Sequence, residues 1–238
     1  MTTALIFAGG TGRRMNSRAI PKQFLELHGK PVIIYTLEHF ENHPEIDNIV
    51  VVCVESWVQR FKHMLRHYVF EKVNQIVPGG DGGDRSIYNG LRALEGVLAP
   101  DDIVLIHDGV RPLINSDLIS EVIAKTKSHG NAITVEPVTE SVVRLNSDNQ
   151  IIDVPPREKM YSAKAPQSFK YGQIWDIYQQ AKKEGLRFLD SAHVCSIYGV
   201  AMHTVKSTPN NMKITSPTDY YIFRALFEAM ENEQILGI

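Results

Sequence analysis

Cysteine is scarce and no block of like charge occurs. Only Cys53 and Cys195 are present in 238 residues. One lies in the apolar run IVVVCVES and the other in a mixed segment, so both read as buried structural thiols rather than a disulfide or a metal pair. The 25 Lys and Arg residues nearly balance the 27 Asp and Glu, and without a basic run the electrostatic footprint of a nucleic-acid binder is missing. No apolar run approaches the roughly 18 residues of a membrane span. The opening MTTALIFAGG has no basic n-region, and the expected setting is cytoplasmic, with no membrane and no nucleic-acid partner. Familiar catalytic signatures are absent too: there is no G-x-x-x-x-G-K-[ST], no G-x-G-x-x-G, no G-x-S-x-G and no H-E-x-x-H. Nine histidines include His39/His43 and His63/His67 at i,i+4, which read as exposed helix faces rather than metal ligands.

What is present is an ordinary globular composition, 43% hydrophobic and 22% charged, in a chain long enough to bury about 70–75% of its unfolded surface. ALIFAGG, NIVVVCV and DIVLIHD are continuous apolar runs of the kind buried on both faces of a parallel sheet. Between and after them KPVIIYTLEHFENH, ESWVQRFKHMLRHYV, SIYNGLRALEGVL and NSDLISEVIAKTKSHG place apolar residues three and four apart, with Asn115-Ser116 offering N-cap chemistry. Strand and helix alternate, which predicts an α/β fold: a doubly wound, mostly parallel sheet with ligands at the carboxyl ends of its strands. After NAITVEPV the pattern changes to short alternating runs, a turn-forming Asn-Ser-Asp-Asn and Pro155-Pro156, which predicts a projecting β-arm over about residues 138–165. The chain then resumes with a helix (QIWDIYQQAKKEG), a shorter helix (DSAHVCSIYG), a strand (AMHTVKS) and a last helix from Thr215-Ser216-Pro217 onward. Neither repeat nor linker divides residues 1–238, so one domain is expected.

Four segments carry candidate chemistry. The opening loop, FAGGTGRRMNSRAIPKQF at residues 7–24, offers backbone N–H groups at its glycines and positive charge at Arg13, Arg14 and Lys22, as a phosphate cradle needs; by itself it equally fits a solvated turn. HDGVRP at residues 107–112 puts Asp108 where it can hold a metal or a sugar hydroxyl and Arg111 where it can fork onto an anion, or else forms a structural Asp–Arg pair. GGDGGDRSIYNG at residues 79–90 feeds a helix N-terminus and suits a base or phosphate, or is a mobile surface loop. NNMKITSPTD at residues 210–219 places Lys213 just before a helix start.

Together and in this order, the four segments resemble the cytidylyltransferases that join CTP to a polyol phosphate, the methylerythritol-phosphate and ribitol-phosphate enzymes. The resemblance spans nearly the whole chain. The family pattern A-G-G-x-G-x-R-M then P-K-Q-[FY] stands as Ala8-Gly9-Gly10-Thr11-Gly12-Arg13-Arg14-Met15 and Pro21-Lys22-Gln23-Phe24. H-D-x-x-R-P is residues 107–112, the arm arginine is Arg157, P-Q-x-F is Pro166-Gln167-Ser168-Phe169, and [IM]-K-[IV]-T is Met212-Lys213-Ile214-Thr215. The stretch from Ile152 to Tyr161 looks like the ribitol branch. The sequence departs from the pattern at Gly83, where the arginine of G-G-x-x-R is expected and Arg85 follows two positions on, at Ser141 in place of threonine, and at Ala165 in place of the threonine of Q-T-P-Q.

The resemblance implies attack of a polyol-phosphate oxygen on the α-phosphorus of CTP, with Mg²⁺ as cofactor and pyrophosphate as leaving group. The nucleophile is already an anion, so the protein's task is to align two polyanions and stabilise charge on a crowded phosphorus. Arg14 and Lys22 would bind the triphosphate and Lys213 the α-phosphate, making these the catalytic residues. Ala8, Gly9, Gly10, Gly12, Arg13, Gly79, Gly80, Asp81, Arg85 and Ser86 would bind CTP. Asp108, Arg111, Ser141 and Arg157 would bind the polyol phosphate, with Asp108 touching a metal held mainly by the nucleotide. The resemblance further implies a homodimer through the β-arm, Arg157 and Ser141 gripping the neighbouring subunit's substrate, and a CDP-polyol product for cell-wall or surface polymer synthesis. The alternatives are a methylerythritol-phosphate substrate, or a non-catalytic nucleotide-binding relative.

Overall fold

A computed structural model describes residues 1–9 and 20–236; Gly10, Gly12, Arg13 and Arg14 lie outside the described residues. β1 (Thr2–Ala8) comes first, followed by a 3-10 turn (Lys22–Phe24), the small antiparallel pair β2 (Glu26–Leu27) and β3 (Lys30–Pro31), and α1 (Val32–Glu41). Strand and helix then alternate through β4 (Asn48–Cys53), α2 (Val58–Leu65), β5 (Val73–Pro78), α3 (Gly83–Ala93), β6 (Ile103–Asp108) and α4 (Ser116–His129). β7 (Asn131–Pro137) leads into the arm, which carries β8 (Arg144–Leu145) and β9 (Ile151–Asp153). The chain returns on β10 (Tyr161–Lys170) and ends with α5 (Tyr171–Lys183), α6 (Ser191–Ile197), β11 (Thr204–Lys206) and α7 (Pro217–Leu236).

Seven strands form one sheet in the order β11-β7-β10-β6-β1-β4-β5. β10 alone runs antiparallel, wedged between β6 and β7, and the remaining described pairings in this sheet are parallel. The apolar runs are what such a sheet demands, because every residue of β4 and β6 is buried and each large aliphatic taken from water contributes about 1.5–3 kcal/mol. Side chains alternate between two cores. Ala4 and Ile6 of β1 meet α1, α2 and α4 through Ile33, Leu37, Phe61 and Val122, whereas Leu5 meets α3 and α5 through Ile87, Leu91 and Trp175. The sheet is thus covered on both faces, as predicted.

The helix ends follow the expected chemistry. Leu118 N–H donates to Asn115 Oδ1 at 3.1 Å at the start of α4, and Gly130 closes that helix at φ 86°. Asp219 Oδ2 accepts the N–H groups of Thr215 and Ser216 at 2.7 and 2.8 Å before α7. Among the described residues no helix is long and apolar enough to cross a membrane.

Four details differ from the sequence reading. β5 is a further strand at the sheet edge. The predicted strand AMHTVKS shortens to Thr204–Lys206. Tyr161 and Ala163, placed by sequence in the arm, already pair with Pro137 and Val135 of β7, so the part outside the central sheet is residues 138–160. His43 is buried between α1 and α4, where its Nε2 lies 3.0 Å from Ser120 Oγ, and His39 Nε2 reaches Pro112 O at 3.0 Å; helix packing, not an exposed face, explains that pair. Both Cys53 and Cys195 are buried and free.

Candidate active site

Parallel pairing sets the site. Phe7 is in register with Asp108 and Ala8 with Cys53, so the carboxyl ends of β1, β4 and β6 lie side by side, where ligands bind in an open α/β sheet. The 3-10 turn is fastened to that edge: Gln23 Nε2 donates to Ala8 O at 2.6 Å, and Phe24 stacks on Trp57 at 4.6 Å. Lys22, which opens the turn, donates from Nζ to Ile214 O at 2.8 Å. A third segment closes the group, since Ile214 N–H donates to Val110 O at 2.9 Å and brings Lys213 over the end of β6.

Asp108 is the electrostatic centre. Its Oδ1 lies 2.6 Å from Lys213 Nζ and its Oδ2 2.8 Å from Arg111 Nε. Burial alone would raise its pKa, but the Lys213 ammonium and then the Arg111 guanidinium outweigh that and hold the carboxyl well below the usual carboxylate range. Arg111 is itself buried and gives Nη1 to Asn211 O at 2.9 Å. The Lys213 side chain is 38% exposed, so it has room to turn from Asp108 toward a ligand.

The loop after β5 makes the opposite wall. Ser86 Oγ, in the first turn of α3, donates to Gly82 O at 2.7 Å and accepts from Gly80 N–H at 3.1 Å. Gly9 packs directly on this serine: a Cβ there would lie 2.6 Å from Ser86 Oγ, so only glycine lets the β1 loop approach. A cavity of about 420 Å³ opens between these walls, with Lys22, Asp108 and Lys213 on one side and Gly80–Gly83 and Ser86 on the other. A second cavity of about 230 Å³ adjoins it, sharing Phe7, Gly83, Asp108 and Lys213, and is completed by Arg111, Lys164, Gln167 and Asp190. Asp108 and Lys213 therefore stand at the junction of two compartments.

The structure brings most of the predicted residues together. Ala8, Gly9, Lys22, Gly80, Asp81, Ser86, Asp108 and Lys213 line the larger cavity, and Gly79 backs it, donating its N–H to Cys53 O at 2.7 Å. Arg111 belongs to the smaller one. Arg85 does not face either cavity: the helical turn carries it toward α5, into a recess with Tyr88, Tyr178 and Lys182. Ser141 and Arg157 lie on the exposed arm, where Arg157 Nη1 donates to Thr139 O at 3.1 Å, and neither lines either of these two cavities. Gln23, Lys164 and Asp190 were not singled out by sequence; the first sits inside the P-K-Q-[FY] motif, and the others gain meaning only through the return of β10. Among the described residues no three His, Cys, Asp or Glu side chains converge as a metal cage. The larger cavity carries two carboxylates, Asp81 and Asp108, a donor set that would suit a metal arriving on a polyphosphate.

The profile of the 2-C-methyl-D-erythritol 4-phosphate cytidylyltransferase (IspD) family matches residues 2–229. A ribitol-5-phosphate cytidylyltransferase of Vibrio parahaemolyticus is 45% identical over the full length of both chains, and one of Streptococcus agalactiae is 43% identical, also over the full length of both. The crystal structure of 4-diphosphocytidyl-2C-methyl-D-erythritol synthase from Anaerococcus prevotii superimposes with a TM-score of 0.81 at 25% identity, covering 95% of this chain and 98% of that one. With the cation-lined junction at the ends of β1 and β6, these likenesses make the chain a member of the IspD-type cytidylyltransferase family and a nucleotidyltransferase.

Proposed function

We propose that the chain transfers the cytidylyl group of CTP to D-ribitol 5-phosphate, releasing pyrophosphate and giving CDP-ribitol for a cell-wall or surface polymer in the cytoplasm. The observation that carries this reading is the Asp108–Lys213 pair at the junction of two cavities, one bounded by the glycine loops and one beside Arg111. A nucleotidyl transfer needs that geometry, with two polyanions entering from separate sides and meeting at a cation both can reach. CTP occupies the larger cavity, its triphosphate against Lys22 and the Arg14 loop, and the polyol phosphate occupies the smaller. The phosphate oxygen bonds to the α-phosphorus as the bond to the pyrophosphate oxygen breaks. Lys213 leaves Asp108 for the α-phosphate as charge gathers there, while Asp108 and Arg111 hold the acceptor. Mg²⁺, when bound on the nucleotide beside Asp108, neutralises phosphate charge.

Dimerisation through the arm accounts for its composition. Val143, Leu145, Ile151, Ile152 and Val154 are all exposed in the single chain, and a two-stranded ribbon is marginal in water unless its apolar side is covered. In a dimer Arg157 and Ser141 reach the neighbouring subunit's polyol phosphate. Ribitol 5-phosphate is preferred over 2-C-methyl-D-erythritol 4-phosphate because the two full-length relatives above carry that name and because Pro155, Arg157 and Tyr161 follow the ribitol pattern. The test is pyrophosphate release from CTP against a panel of polyol phosphates, with and without EDTA. Fastest turnover with D-ribitol 5-phosphate, abolished by EDTA in a still folded protein, is expected; release with no acceptor refutes the reading, and a silent panel points to the non-catalytic binder.

A further inference from the structure

The loop joining β5 to α3 has little side chain of its own to fix it. Residues 79–83 are glycine except for Asp81, and glycine loses more backbone freedom on ordering than any other residue. Ser86 holds the loop from the cavity side. Arg187, in the connection between α5 and α6, holds it from outside. Its Nη2 donates to Asp81 O at 2.8 Å and its Nε lies 2.6 Å from Asp84 Oδ2. The guanidinium fills the space beside Gly82: a Cβ there, at φ +111°, would lie 2.6 Å from Arg187 Nη2.

The two ends of this strap differ. Asp84 is buried in the first turn of α3, whereas the Arg187 side chain is 55% exposed. The arginine stands on anchored backbone. Leu186 N–H donates to Ala181 O at 2.9 Å, and Phe188 meets Tyr178 edge-on at 5.1 Å. Arg187 is not among the residues lining either cavity, so any effect on a ligand passes through the loop.

We propose that Arg187 is a positioning residue for the nucleotide, its hydrogen bond to Asp81 O and its ion pair with Asp84 fixing the 79–83 loop in the shape that receives CTP. The inference rests on the cytidylyltransferase reading above. A ligand that binds only the fixed loop has an apparent Kd divided by the fraction of loop in that shape. Cutting the strap lowers this fraction and leaves the Lys213–Asp108 pair and Arg111 in place. The consequence is a selective loss of CTP affinity.

The experiment compares the full-length wild type, R187A and R187K by amide hydrogen exchange without nucleotide and by steady-state kinetics with CTP and D-ribitol 5-phosphate. R187A is expected to exchange faster at residues 80–83 and to raise KM for CTP by about tenfold, with kcat and the acceptor KM within about twofold. R187K keeps a charge beside Asp84 but has no planar fork to span to Asp81, so its melting temperature is expected to match the wild type while KM for CTP stays raised. Unchanged loop exchange in R187A overturns the proposal. So does a wild-type KM in R187K, or a lower kcat, a rise in both KM values and a lower melting temperature together in R187A, the mark of a purely structural residue. If the wild type releases no pyrophosphate from CTP, the functional reading fails, and the exchange comparison alone still decides whether Arg187 fixes the loop.

Discussion

Replacing Lys213 with alanine removes the one cation among the described residues that lines both cavities, where it is paired to Asp108 at 2.6 Å. An ammonium about 4 Å from a phosphate charge is worth about 4 kcal/mol at the intermediate dielectric of a partly open site, and removing one preorganised contact to a developing charge typically costs about 3–4 kcal/mol of barrier. Turnover is therefore expected to fall a hundredfold or more. The fold has less at stake. Lys213 is more than a third exposed and Asp108 keeps Arg111 at 2.8 Å, so the stability lost is about 1 kcal/mol, well short of the cost of a buried carboxylate left alone. Pyrophosphate-release kinetics with each substrate varied, calorimetric titration of CTP and a thermal melt separate these quantities. A large fall in kcat with CTP Kd within a few-fold supports the role. Near-normal kcat with only a raised KM for CTP refutes it, since Lys213 would then bind ground and transition states alike.

Mixing the inactive variants Arg157→Ala and Lys22→Ala is expected to restore activity if the arm serves the neighbouring subunit: random exchange makes about half the dimers hybrids with one intact site of two, a ceiling of roughly a quarter of wild type. No recovery after demonstrated subunit exchange would put Arg157 in its own chain's site. The buried His43 gives a pH test remote from the chemistry. Burial holds its pKa below 6.5, against a weaker upward pull from Ser116 O, so the stability from its neutral form is complete above about pH 6.5 and is lost as pH falls through that value. Urea midpoints between pH 5 and 8 should decline toward acid in the wild type and decline less in His43→Gln; identical slopes would assign the acid loss elsewhere.

The strands legible in the sequence were those buried on both faces. NIVVVC and IVLIHD leave no polar position to confuse the pattern. β5 was missed because an edge strand has little to bury: VNQIVP is half exposed, and its Asn74 spends its amide on Asn48 of β4. β10 was hidden for the opposite reason. Its buried segment contains Gln167 and Ser168, polar residues that break the apolar run of a buried strand; Gln167 tolerates burial because its amide serves Asp190 and Ala192. The motif residues around Asp108 and Lys213 were legible since their types and spacing carry the chemistry. The Arg187–Asp84 strap was not, because Arg187 belongs to no pattern and its contact with Asp84 exists only once α5 lies against α3. His39 and His43 show the same limit, as i,i+4 spacing reports a shared helix face and not what covers it.

The antiparallel course of β10 makes the arm the loop of a single long hairpin. Pro137 and Tyr161 face each other across the β7–β10 ladder, one strand spacing apart, so the chain leaves the sheet and re-enters it at the same place. Residues 138–160 can then lengthen, shorten or change character without moving any strand of the sheet, because the entropy of closing such a loop grows only slowly with length, by about 0.6 kcal/mol per doubling. The arm can therefore diversify in length and surface while the strands that carry Asp108 and the glycine loops stay in register.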